Sequence, residues 1–484
     1  MNNRINRAPV VIIGGGVAGL TAANLLTHNG FDVAIFEASD KLGGSCATTA
    51  LGSYTFNDGA VSLALINVLD HAFARAGLNR AEQLPLRKIA ARYSATMPDG
   101  TLVTLGEGLN LTVTGRVVDS KRVHVELRRM MDKWRPVLRF VGEEFLLHPF
   151  SSWRTLQKGW RHLPKLRGTV AAEFYRLFSD EAVRAALSGD LLYSGLPADA
   201  MPVSAILGLV AELDDGLYLP EGGMGQVPQV LSCALKSRRV RVSVNSKIDK
   251  ITIKDGRVRG VEIGRDRVDA AAVISTASGM QTFGSLVEAQ SLPSSIVRRL
   301  KRPRLSHRAV SIQLGLANTI DAPAHSVSVL PWMEQQRAIF LQDGREMKFP
   351  VYLVPTVTMP ELAPGGGSII EMFYPVRSDV PLEYWDQERK EQLTESAVAV
   401  LRRTYDLHVA ATRVRSPKDF RDNMHLFHGA LYGLSPASTP RDQFPHDPGI
   451  PGLFLAGQTT FPGFGVGPAM MSGIFAAEAL LATA

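Results

Sequence analysis

The chain has 484 residues, 45% of them hydrophobic and 20% charged, which is material for two or three packed domains and excludes a disordered or fibrous chain. Its 53 Lys and Arg against 46 Asp and Glu leave a net charge of +7, a mildly basic balance that suits nucleic acid or an anionic membrane surface. Two cysteines, Cys46 and Cys233, exclude a disulfide framework and a four-cysteine zinc site. The opening MNNRINRAPVVIIGGG runs straight into a strand without a signal-peptide pattern, and no apolar run is long enough to span a bilayer. A cytoplasmic location is therefore expected. The eleven histidines form no H-E-x-x-H or Cys/His cluster, and no G-x-S-x-G elbow follows a strand, so neither a metal site nor a serine hydrolase is indicated.

Val10 to Ile13 read as a buried strand, followed by Gly14-Gly15-Gly16-Val17-Ala18-Gly19 and an alanine- and leucine-rich helix. Gly14 suits a tight turn, Gly16 a close approach of a diphosphate, and Gly19 close helix–strand packing. A second strand ends at Glu37, about eighteen residues further on, where a carboxylate accepts both hydroxyls of an adenosine ribose. To this point NAD and FAD are equally served. Next come Gly43-Gly44 with Ser45, and Gly59-Ala60 in a turn.

Residues 110 to 215 look helical. In SSWRTLQKGWRHLPKLRG, Trp153, Leu156, Trp160 and Leu163 share one arc, with Arg154, Lys158, Arg161 and Lys165 on the other side and no acid in the stretch. That is the composition of a helix lying in anionic headgroups; an amphipathic helix packed on the core with a solvated basic face has the same pattern. No recognition motif accompanies the charge, so nucleic acid is not expected as a partner. Further on, VRVSVNSKIDKITIKDGRVRGVEI reads as strands with a hairpin turn at Lys254 to Gly256, and DAAAVISTAS as a strand ending at Thr276. AVSIQLGLA and SIIEMFYPV are strand-like, QERKEQLTESAVAVLRRTY is a helix, and LAGQTTFPGFGVGPAMMSG places glycines and prolines at the start of a final apolar helix.

Glu37 with Gly43-Gly44 resembles the glutathione-reductase-type FAD fold, in the branch of amine oxidases and phytoene desaturases. The C-terminal Ala456, Gly457, Thr460, Pro462, Gly463, Gly465, Gly467 and Ser472-Gly473 resemble the phytoene desaturase signature. GLYLPEGGMGQVPQVL and HGALYGL are similar to further elements of that family, so the resemblance spans most of the chain. It implies an α/β fold with a discontinuous Rossmann FAD domain at 8–65, 220–280 and 420–484. A mixed α+β substrate domain would occupy 66–109 and 281–419, and a helical, membrane-associating region 110–219. FAD would contact Gly14, Gly16, Val17, Ala18, Gly19, Glu37, Ala38, Gly43, Gly44, Ser45, Gly59 and Ala60. Ile248 or Val244 would lie beside the adenine, and Thr276, Gly457, Gln458, Gly467, Pro468, Ala469 and Met470 would complete the contacts. The pattern departs from the family at Ser45, where arginine is common, and at Asn57, where aspartate is common.

The same resemblance implies desaturation of a long lipophilic polyene by hydride transfer to flavin N5, with a quinone or oxygen as final acceptor. His425 and His428 are candidate proton acceptors. Trp153 and Trp160, with their flanking lysines and arginines, would hold the protein peripherally on the inner face of the cell membrane. Isomerisation or saturation of a polyene, or oxidation of its ends, fits the same motifs. An amine oxidase acting on a small amine or secondary metabolite is a second reading, although Gln458 stands where that family has glutamate. A prenyl-binding chaperone without flavin is a third.

Overall fold

The computed structural model describes residues 8–89, 93–238 and 240–483. The strand Val10–Ile13 consists of four buried aliphatic residues and therefore needs cover on both faces. It takes the centre of a five-stranded parallel sheet, in the order Arg241–Ser243, Val33–Phe36, Val10–Ile13, Ala272–Ser275, Leu453–Leu455. Three separate stretches of chain thus meet in one sheet. Side chains alternate along the central strand. Val10 and Ile12 join a core with the first helix, Val17–His28, and the last, Val466–Leu481. Val11 and Ile13 join a second core on the opposite face, with Ile248, Ile251, Val258 and Val261. That face carries the antiparallel strands Lys250–Lys254, Arg257–Ile263 and Asp266–Asp269. Asp255 and Gly256 link the first two, both at positive φ, as a tight hairpin turn requires.

The two helices on the first face approach closely because both present small residues. A Cβ added at Gly473 would lie 2.2 Å from the Ala18 carbonyl oxygen, so only glycine fits there.

A second sheet has eight strands, in the order Val409–Arg415, Arg308–Leu316, Ser368–Val376, Val351–Leu353, His325–Val327, Tyr93–Thr96, Leu102–Leu105, Leu111–Thr114. Arg308–Leu316 and Ser368–Val376 pair antiparallel along their whole length. The helix Gln387–Leu401 covers one side, where Leu393, Ala397 and Leu401 pack with Ile312, Leu314 and Met372. Four helices, Ser120–Phe140, Val170–Leu177, Glu181–Asp190 and Ile206–Asp214, gather around Trp134 and Phe174 in a further core that reaches Tyr93 and Val327 of the sheet. The segment from 110 to 219 is thus largely helical but opens on a strand, because Leu111 and Val113 alternate with threonines. Among the described residues, no helix is long and apolar enough to cross a membrane.

Candidate active site

A single cavity of about 1530 Å³ runs between the two sheets. One end is built from glycine turns. Gly14, at φ +98°, turns the chain away from the first strand, and the Thr276 hydroxyl bonds back to the Ile13 carbonyl at 2.8 Å. Gly43 N–H donates to the Gly15 carbonyl at 2.9 Å, which lays the Gly43-Gly44 turn beside Gly14–Gly16. A Cβ on Gly16 would meet nothing within 4 Å and would extend into open space. The Glu37 carboxylate accepts from Gly15 N–H at 2.7 Å and from Ser39 N–H at 2.8 Å, so its oxygens are fixed beside the turn. Backbone cradle, carboxylate and cavity together fit a dinucleotide.

Gly14, Gly16, Val17, Ala18, Glu37, Ala38, Gly43, Gly44, Ser45, Gly59, Ala60, Ile248, Thr276, Gly457, Gln458 and Ala469 all line this cavity. Gly19, Gly467, Pro468 and Met470 do not. Gly19 is a packing position, where a Cβ would come 2.2 Å from the Gly14 carbonyl oxygen. On the last helix only Val466 and Ala469, three residues apart, face the cavity, while Met470 is buried. The loop before that helix is clasped by buried hydroxyls: Gly457 N–H donates to Ser472 Oγ at 2.9 Å, and Thr460 Oγ1 donates to the Gly457 carbonyl at 2.8 Å.

Of the two histidines considered as proton acceptors, His425 lines the cavity where Glu37 and Lys247 act on it. That is the end beside the ribose carboxylate, and burial followed by Lys247 holds the imidazole below its usual range. His428 is exposed, is not on the cavity wall, and uses its backbone carbonyl to accept from Arg308.

No sequence motif marks the polar network on the cavity wall between the third glycine element and the large sheet. Asn57 donates to Glu371 through its backbone N–H at 2.8 Å and its side-chain Nδ2 at 3.2 Å, and its Oδ1 accepts from Met224 N–H at 3.1 Å. Gln313 Nε2 donates to the Asn57 carbonyl at 2.6 Å and to Glu371 Oε1 at 3.1 Å. Next to it, Asp58 pairs with Lys41 at 2.7 Å, Arg413 at 2.5 Å and Arg415 at 3.6 Å. Burial pushes the Asp58 carboxyl up, but Lys41, Arg415 and Arg413 outweigh it and hold the group below its usual range. Glu371 has the opposite outcome. Burial pushes it up to about 7, against the opposing effect of Asn57, Arg415 and Gln313. Cys46, also on the wall, is pushed up to about 12 by burial and stays a thiol at neutral pH.

Glu371 therefore couples stability to pH. Its folded pKa lies above the unfolded value, so its contribution is complete below the unfolded pKa and is lost as pH rises through about 7. Glu371→Gln is expected to remove a loss of about 3 kcal/mol between pH 4.5 and 8. Urea unfolding of both proteins across that range checks it.

The far end of the cavity is walled by Leu191, Leu209, Leu353, Met372, Phe373 and Tyr432, with Phe464 stacked on Tyr432 at 4.6 Å between centroids. Among the described residues no group of three or more His, Cys, Asp or Glu is placed to hold a metal ion.

The sequence profile described as "Flavin containing amine oxidoreductase" matches residues 17–481. A "zeta-carotene-forming phytoene desaturase" of Myxococcus xanthus is 26% identical, covering 98% of this chain and 93% of its own. A "4,4'-diapolycopen-4-al dehydrogenase" of Metabacillus indicus is 24% identical, covering 96% and 95%. Among solved structures, an oxidoreductase from Methanosarcina mazei superposes with a TM-score of 0.65 at 16% identity, covering 97% of this chain and 100% of that one.

Proposed function

From the membership of this chain in the flavin containing amine oxidoreductase family, which makes it an FAD-dependent oxidoreductase, we infer that it desaturates a long lipophilic polyene of the carotenoid class. The observation that carries the reading is the continuity of the cavity, from the glycine cradle to a chamber walled by leucine, methionine and aromatic side chains. A polyene offers no charged handle, so apolar walls and orientation must supply specificity and much of the rate. Bound FAD supplies a two-electron acceptor for a hydride from a C–H bond.

The chain's own residues divide the remaining work. Glu37 would hold the ribose, the Gly14–Gly16 and Gly43-Gly44 turns the diphosphate, and Ile248 the adenine side. Ser45, Gly59-Ala60, Gly457-Gln458 and the start of the last helix would hold the flavin end. That helix start, where Ala469 N–H makes a helical bond to Gly465, favours negative charge on a bound ligand. The proton lost with the hydride goes to Glu371, whose pKa near 7 lets it accept and release at neutral pH. Its Oε2 takes the proton, since it accepts from Asn57 Nδ2 alone, whereas Oε1 accepts from Asn57 N–H and Gln313. Phytoene in liposomes, supplied with a quinone or with oxygen, is the test. A product with a longer conjugated system supports desaturation; a rearranged or saturated polyene, or turnover of an amine instead, overturns it.

The same reading places the protein against a membrane surface. In the helix Ser152–Gly159 and the turn after it, Trp153, Leu156 and Trp160 are 73%, 52% and 58% exposed. Arg154 and Lys158 are both tied to Glu144, at 3.3 and 2.7 Å, so the basic face is partly neutralised from outside the stretch. Contact should then depend more on the indoles than on charge. Replacing Trp153 and Trp160 together by serine is expected to weaken binding to anionic vesicles roughly tenfold or more, with little change on adding salt. Vesicle co-sedimentation measures both.

A further inference from the structure

The cavity face of the large sheet changes character from strand to strand. Register sets Arg413, Gln313, Glu371 and Leu353 side by side on four neighbouring strands, and all four residues line the cavity. Charge is concentrated on the edge strand Val409–Arg415, whose Arg413 and Arg415, two residues apart, share that face. There they meet Lys41, which comes from the loop between Glu37 and Gly43. Asp58 lies among the three, 2.7 Å from Lys41, 2.5 Å from Arg413 and 3.6 Å from Arg415.

Three cations around one carboxylate leave two positive charges, of which an ionised Glu371 offsets one. Asp419, the other acid near Arg415, is committed elsewhere: it caps its own helix at Ser416 and pairs with Lys390 at 3.4 Å. Charge on a partly buried wall ordinarily has a partner. Arg413 bonds only through Nη1, to Asp58 and to Gln313 Oε1 at 3.3 Å, so among the described residues nothing accepts from its Nη2 or Nε. Its side chain is 22% exposed, and the guanidinium is open to a ligand. The position of the cluster specifies an anion. Lys41 lies two residues before Gly43, and Asp58 immediately precedes Gly59, where a Cβ would come 2.9 Å from the Ser45 carbonyl oxygen. A dinucleotide running from the Gly43-Gly44 turn to Gly59 passes this cluster, and the glycine turns with Ser45 bring no cation of their own.

We propose that Arg413, with Lys41 beside it, binds the diphosphate of FAD from across the cavity, so that the edge strand of the large sheet is part of the cofactor site. The proposal rests on FAD being bound and not on the identity of the substrate. Nε and Nη2 form one side of the planar guanidinium and can donate as a pair to phosphate oxygens, while Nη1 stays on Asp58 and fixes the plane. Arg415, only 9% exposed and bonded to the Asn57 carbonyl at 3.4 Å, adds charge behind that contact. FAD then ties the large sheet to the glycine turns of the small one.

Equilibrium dialysis of the full chain with FAD, at about 50 mM and about 500 mM sodium chloride, is the test, with bound flavin read by its absorbance. Arg413→Gln is expected to weaken FAD binding roughly tenfold or more at the lower salt, and by less at the higher. Arg413→Lys, which keeps the charge and loses the fork, should recover part of that loss. Lys41→Gln, on a different element, should show a smaller loss with the same salt dependence, and it carries the test if Arg413→Gln fails to fold. Wild-type FAD affinity in both glutamine variants overturns the proposal. So does a loss that is equal at the two salt concentrations and no smaller in Arg413→Lys. Either result leaves the polyene reading standing, which phytoene turnover tests separately.

Discussion

Gly16→Val is expected to give a folded protein that has lost its flavin. Gly16 has an ordinary extended backbone, φ −72° and ψ 175°, so a branched side chain there strains nothing locally. Nor does a Cβ touch any protein atom within 4 Å. The only thing it can obstruct is what occupies the space between the two glycine turns. FAD affinity should fall by at least roughly a hundredfold, since a blocked diphosphate loses both its backbone contacts and its place at the helix start. The far-ultraviolet circular dichroism should not change. Gly14→Val is the contrasting variant: its Cβ would lie 2.3 Å from Thr276 Oγ1 at a φ of +98°, so it should lose stability along with flavin. Flavin released per protein on heating, measured beside the melting curve, separates the two.

The second large effect is expected at Asn57→Asp. The amide nitrogen of Asn57 donates to Glu371 while its oxygen accepts from Met224 N–H. Aspartate keeps the acceptor but turns the donor into a second carboxylate facing Glu371 in a buried site. With both ionised, the variant should lose about 2–4 kcal/mol at pH 8. At pH 5, below the Glu371 pKa of about 7, a protonated Glu371 can donate to the new carboxylate and most of the loss should be recovered. Guanidinium unfolding at the two pH values measures the difference. An equal loss at both would mean that repulsion between the carboxylates is not its cause.

The cofactor end of the site was legible in the sequence because its parts are local. Strand, glycines, helix and acid follow within one stretch, and the structure brings Gly14, Gly16, Glu37 and Gly43-Gly44 to one cavity wall. The Asn57 departure was visible without its meaning. Its partner Glu371 lies 314 residues away on a strand of another sheet, and only the packing of the two sheets brings the two together. Among the last helix's residues, Gly467, Pro468 and Met470 were included by motif, whereas helical periodicity puts only Val466 and Ala469 on the cavity. The basic stretch around Trp153 looked free of acid because Glu144 precedes it and folds back onto Arg154 and Lys158.

The central claim is that one cavity brings a polyene to a flavin held by the glycine turns. Anaerobic mixing of the FAD-loaded protein with phytoene in liposomes tests it most directly, with the flavin's blue absorption band followed through a single turnover. The account predicts that the band bleaches and that one newly desaturated polyene appears for each flavin reduced. A band that phytoene leaves untouched, in protein whose flavin dithionite still bleaches, would contradict it.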